Sequence, residues 1–174
     1  MRAPLACLLL AMAAVPAAAQ TDIASKIVND PGAPEVSGAR AKLVDDPVVQ
    51  GGKALRVTVP KKGANAWDSV VESAINKPVK AGDKLVLIFD ARLVKGEAGA
   101  KTATIPYIAV QMKAAPYTGV ISGPVTVTPE WAPHKIEGKS AKAYPAGALK
   151  ATVQVANAKQ TIDFGPIVVL NMGQ

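Results

Sequence analysis

The run KLVLIFDARL, residues 84–93, decides the fold class. Read with the two-residue period of an extended chain, Leu85, Leu87, Phe89, Ala91 and Leu93 share one side, and Val86, Ile88, Asp90 and Arg92 share the other. One side is wholly apolar while the other carries an acid and a base, so this is a strand with one face in a core. Comparable runs recur at 54–59, 67–75, 104–112, 120–127, 134–139, 149–156 and 160–171, separated by Pro60, Gly82-Asp83, Gly96, Pro116, Pro129, Pro145 and Gly147. Short alternating runs punctuated by turn residues describe a sandwich or barrel. With about eight to ten strands in this length, two sheets burying their aliphatic faces against each other are the economical answer. The expectation is an all-β protein, a two-sheet antiparallel β-sandwich of jelly-roll type.

The same alternation assigns faces at the C-terminal end. Leu149, Ala151, Val153 and Val155 alternate with Lys150, Thr152 and Gln154, and Ile162, Phe164 and Val168 alternate with Asp163 and Gly165. No segment keeps helical periodicity beyond the N-terminal leader, and no internal repeat is visible.

That leader has Arg2, an apolar run from Ala3 to Val15 and then Pro16-Ala17-Ala18-Ala19 ahead of Gln20. The run is shorter than the roughly 20 residues a membrane span needs, and small residues follow it, as in a cleaved export signal. Residues 1–19 are expected to be removed after Ala19, leaving residues 20–174 as one domain, secreted or periplasmic and without a membrane span. Lipidation at Cys7 is disfavoured because most of the apolar core follows that cysteine instead of preceding it. Cys7 is the sole cysteine, so the mature domain carries no thiol. Its net charge falls from +7 to +6 with Arg2 gone. The lysines are scattered, with no arginine-rich block, which fits a solvated surface better than a nucleic-acid partner.

GGKALRVTV at 51–59, INKPVKAGDKLVLIFDARL at 75–93, VTVTPEW at 125–131 and KQTIDFGPIVVLN at 159–171 carry a resemblance. The pattern resembles the jelly-roll carbohydrate-binding modules that accompany xylanases and glucanases, the family four and nine type with a galactose-binding-like fold. The resemblance spans about residues 26–173, and the protein is expected to be a monomer. The resemblance implies a poly- or oligosaccharide of xylan or glucan type in a groove on the concave face of one sheet. Ring-bearing side chains stack on apolar sugar faces there, and amides or charged groups meet the hydroxyls. The outward positions Trp67, Arg92, Tyr107, Gln111 and Gln154 supply those chemical types, and Tyr117 walls one end. Tyr107 and Gln111, four apart on one strand, are the best pair. Trp131 reads as structural and Tyr144 as a loop anchor. The resemblance also implies a structural calcium, with Asp163 in the closing strand as a ligand and Asp30 or Glu35 joining it. Hard cations want six or more oxygens. No other cofactor is implied.

Catalysis requires a constellation of groups. The single histidine, His134, reads as a surface or edge-strand residue, and phosphate-binding glycine loops are absent. Paired carboxylates are the one enzyme alternative, with Asp68 and Glu72 four apart on a predicted strand, as a glycoside hydrolase would need. Three readings therefore stay open, in descending order: a non-catalytic carbohydrate-binding module, a structural or adhesion sandwich of the cell envelope, and a small glycan-active hydrolase.

Overall fold

The computed structural model describes residues 17–174; most of the expected leader lies outside them. A helix, α1 (Ala17–Lys26), runs through the expected cleavage point and seven residues past it, where no helix was expected. An Asp22–Lys26 ion pair one turn apart supports it, and Ser25 Oγ donates to the Asp22 carbonyl. Beyond it come β1 (Glu35–Ser37), β2 (Arg40–Asp45), β3 (Lys53–Val59), β4 (Val70–Ile75), β5 (Lys84–Lys95) and β6 (Ala103–Met112). There follow β7 (Gly119–Val127), β8 (Ala132–Lys139), β9 (Leu149–Gln154), β10 (Gln160–Phe164) and β11 (Val168–Asn171).

Two antiparallel sheets face each other. One has five strands in the order β1-β4-β9-β6-β7; the other has six, β11-β5-β10-β3-β2, with β8 on the free edge of β5. The length of β5 explains this arrangement. Its residues 84–91 pair with β8 on one edge, while the other edge pairs with β10 over 91–95 and with β11 over 85–88. The closing segment expected as one strand, 160–171, is thus one strand interrupted at Gly165-Pro166-Ile167. Pro166 has no N–H to give the ladder. Four steps from Phe164 to Val168 oppose three from Ala91 to Ile88. The extra residue reverses the alternation, so Ile167 and Val169 enter the core and Val168 does not.

All five apolar side chains of the expected face of β5 are buried. They meet Val71 and Ile75 of β4, Ile105, Ile108 and Val110 of β6, and Ala151 and Val153 of β9. Phe89 and Phe164 pack with ring centroids 5.8 Å apart. Each buried Val, Leu, Ile or Phe side chain contributes about 1.5–3 kcal/mol by leaving water. A second irregularity sits in β6. Between Ile105 and Ile108 three steps oppose the two from Val125 to Gly123, a bulge at Pro106-Tyr107. It lets Ile105 and Ile108 both point inward and turns Tyr107 to the opposite face.

Candidate functional site

Registers across the five-stranded sheet align its outer face into rows. Ser37, Val70, Gln154 and Tyr107 stand opposite one another across β1, β4, β9 and β6. The next row is Glu35, Glu72, Thr152, Ala109 and Ser122, reaching β7, and the third is Ala74, Lys150, Gln111 and Gly119. From these rows Ser37, Val70, Gln154, Tyr107, Glu72, Thr152, Lys150 and Gln111 floor an open cleft of about 850 Å³.

The walls come from loops. Trp67 stands on a single 3-10 turn (Ala66–Asp68) ahead of β4, not on the strand expected from residue 67. Asn65 N–H donates to the Asp68 carboxylate at 2.9 Å, and Ala156 N–H donates to the Ala66 carbonyl at 3.0 Å. The turn is tied down while the indole stays 63% exposed. At the opposite end Tyr117, 55% exposed, adopts φ 56° in the loop between β6 and β7, beside Pro116. That loop is closed by hydrogen bonds from Met112 N–H to the Thr118 carbonyl and from Tyr117 N–H to the Ala114 carbonyl, both 3.0 Å.

The floor is polar and partly unsatisfied. Lys150 Nζ lies 2.6 Å from Glu72 Oε1 and 5.5 Å from the centre of the Tyr117 ring. Thr152 Oγ1 donates to the same Glu72 oxygen at 3.4 Å. Gln111 is only 6% exposed, yet among the described residues neither its amide nor that of Gln154 has a hydrogen-bonding side-chain or backbone partner. Burial pushes the Tyr107 phenol above its ordinary pKa, so the ring carries a neutral hydroxyl. Three rings, two unpartnered amides and one internal ion pair make a surface suited to a polar, uncharged ligand with apolar faces.

Five of the six sequence-predicted binding residues line this cleft: Trp67, Tyr107, Gln111, Tyr117 and Gln154. Arg92 does not. Period two correctly turned it outward, but β5 belongs to the six-stranded sheet, so outward there is the opposite side of the molecule. Its guanidinium donates to Asp163 Oδ2 at 3.0 Å, meets Asp46 Oδ2 at 2.8 Å and lies 4.9 Å from the centre of the Trp131 ring. Trp131 Nε1 donates to Asp46 at 3.2 Å, which makes this indole structural, as expected. Lys150, Glu72 and Thr152 were missed as groove residues. The alternation that selected Gln154 places Lys150 and Thr152 on the same face, and only the assumption that a strand lysine is surface decoration hid them.

Asp163 does not fit a calcium ligand. It is fully buried, and its two oxygens accept from Arg56 Nε and Nη2 at 2.7 and 2.8 Å and from Arg92. Burial alone would raise its pKa; the hydrogen bonds and charges of the two arginines more than offset this and hold it below the usual carboxylate range. Two guanidinium groups on one carboxylate repel a cation. Asp30 and Glu35 line a cleft on the other sheet. The carboxylate pair also separates: Asp68 caps its turn and Glu72 is bound to Lys150. His134, on the edge strand β8, packs on Phe89 at 5.5 Å, and its Nε2 is buried without a partner. Tyr144 anchors its loop by two backbone bonds to Val79.

No protein-family model matches the sequence, and neither does any curated protein. Solved structures do match. A CBM4 domain superposes with TM-score 0.61 at 17% identity, over 81% of this chain and 96% of that one. The CBM22-1 xylan-binding domain of Paenibacillus barcinonensis Xyn10C gives 0.57 at 15% identity, over 81% and 86%. The second N-terminal cellulose-binding domain of Cellulomonas fimi β-1,4-glucanase C gives 0.58 at 18% identity, over 82% and 88%. The chain therefore has the jelly-roll fold of carbohydrate-binding modules. No helix among the described residues is long and apolar enough to cross a membrane.

Proposed function

We propose that this protein is a non-catalytic carbohydrate-binding module, exported by its N-terminal leader, that holds a poly- or oligosaccharide of xylan or glucan type across the five-stranded sheet. The observation that carries the reading is the coincidence, in one open cleft, of exposed Trp67 and Tyr117, half-buried Tyr107 and the free amides of Gln111 and Gln154. Sugar rings present apolar C–H faces and hydroxyl rims, and this lining offers rings to the first and amides to the second. Tyr107 and Gln111 stand about 13 Å apart along β6 at about 3.3 Å per residue, a span longer than one sugar. The likeness to domains described as xylan- and cellulose-binding supports the ligand class. A catalytic role has less support, since the carboxylates best placed for one are engaged with Lys150 and with a backbone N–H.

Affinity electrophoresis through gels containing xylan or β-glucan tests the reading. Wild type should be retarded in at least one gel. Each of Trp67→Ala and Tyr107→Ala should weaken retention by about 2- to 10-fold, the worth of one stacked ring. Unretarded wild type in all polysaccharide gels would overturn it.

A further inference from the structure

The groove does not end at its floor. A second cleft of about 230 Å³ opens on the same sheet face, over β1 and the far end of β4, and is lined by Asp30, Glu35, Asn76 and Lys113. It shares Glu72 and Lys150 with the groove, so that ion pair is the sill between the two. Register makes the continuity explicit: Glu35 of the second cleft stands directly opposite Glu72 in the row that passes through Thr152.

The two hollows differ in chemistry. All three groove rings lie in the larger one, and the smaller has no aromatic residue in its lining. A main chain held by stacking has nothing to stack on there. The smaller hollow instead offers hydrogen-bonding groups at roughly a quarter of the groove's volume. Glu35 and Lys113 form no ion pair among the described residues. Its lining holds three carboxylates against two ammonium groups, a balance that disfavours an anionic guest.

Resting on the sugar-binding reading above, we propose that the protein recognises a branched glycan, with the main chain in the groove and one neutral side-chain sugar reaching over the Glu72–Lys150 sill into the second cleft. The ligand class is thus a decorated polysaccharide, and the carboxylate excess selects neutral branches over uronic acid ones.

Titration calorimetry with matched oligosaccharides tests this: linear xylohexaose, the same chain with one arabinosyl branch, and the same chain with one glucuronosyl branch, with linear and xylose-branched cello-oligosaccharides in parallel. Wild type should bind the neutral branched member of one series about three- to tenfold more tightly than its linear parent, a gain of one or two hydrogen bonds, and the glucuronosyl chain with no gain. Ala33→Trp fills the second cleft from an exposed position. It should abolish the branch preference and leave linear binding and Tm unchanged; Lys113→Ala, which removes a donor without filling the cleft, should halve the preference or more. Equal wild-type affinity for linear and branched chains overturns the proposal. So does Ala33→Trp weakening both kinds of ligand alike, which would make the cleft part of the main-chain path. Absence of binding to every oligosaccharide overturns the sugar-binding reading itself, an outcome distinct from binding without preference.

Discussion

The outer faces of the two sheets carry similar residue types and use them oppositely. On the six-stranded sheet, Arg56, Arg92, Asp163, Asp46 and Trp131 satisfy one another, so that face presents a closed network. On the five-stranded sheet, Gln111, Gln154, Tyr107, Tyr117 and Trp67 point outward without completing one another, while Lys150 engages Glu72 and the Tyr117 ring and Thr152 bonds Glu72. Outward-facing polarity is therefore no mark of a binding surface. What marks one is polarity and aromatic area left over after the neighbours have been served.

The division can be broken by mutation, starting with the core between the faces. Phe89→Ala should cost about 3–5 kcal/mol, because the ring is fully buried against Phe164 and His134. Chemical denaturation measures it, and ligand retention at a temperature where the variant is folded should be unchanged. Next, Asp163→Asn should cost about 2–3 kcal/mol by leaving two arginines with a neutral partner. The sign of its pH dependence follows from the depressed pKa in the folded state. Asp163 stabilises fully above its unfolded pKa of about 3.9, and that stability is lost as pH falls through the folded value. The variant should show a flatter acid limb in Tm against pH, with glycan retention intact; lost retention would break the division.

Smaller is the effect at His134, whose pKa burial lowers, with Asp90 opposing. The unfolded chain takes up a proton near pH 6.5 while the folded one resists, so stability declines as pH drops below about 6.5. His134→Phe should raise Tm more at pH 5 than at pH 8, by about 1 kcal/mol of stability, since it also removes the unpartnered Nε2. The finest test lies in the groove. A Cβ on Gly119 would stand 2.8 Å from the Tyr107 hydroxyl, the movable end of a side chain. Gly119→Ala should leave Tm within about 1 °C while weakening retention about two- to fivefold by displacing the ring. In a Tyr107→Phe background, where the crowded oxygen is gone, the same substitution should cost nothing; an equal loss in both backgrounds would assign Gly119 a backbone role.

The sandwich and the buried face of β5 were legible because five apolar residues at every second position of 84–93, opposite a face carrying an acid and a base, read as a strand with one side in a core. Most of the groove was legible for the same reason, with rings and amides at outward positions of β6 and β9. Alternation carries no sheet index, and that is why Arg92 was placed on the wrong side. It also misreads wherever a residue is added. The extra residue in the β10–β11 segment moved Val168 out of the core, and the turn before β4 lifted Trp67 off its strand. Asp163 looked like a cation ligand because its two neutralising arginines, on β3 and β5, are 107 and 71 residues away. β1 and β2 escaped notice since their exposed patterns leave no apolar stripe to read.

The positions of β9 and β10 have a consequence for how the chain is made. Each occupies the interior of its sheet, β9 between β4 and β6 and β10 between β3 and β5. Until residues 149–164 have been synthesised, both sheets are split into halves with no strand to join them. A nascent chain cannot close its sandwich before those strands exist, a delay that follows from strand order alone.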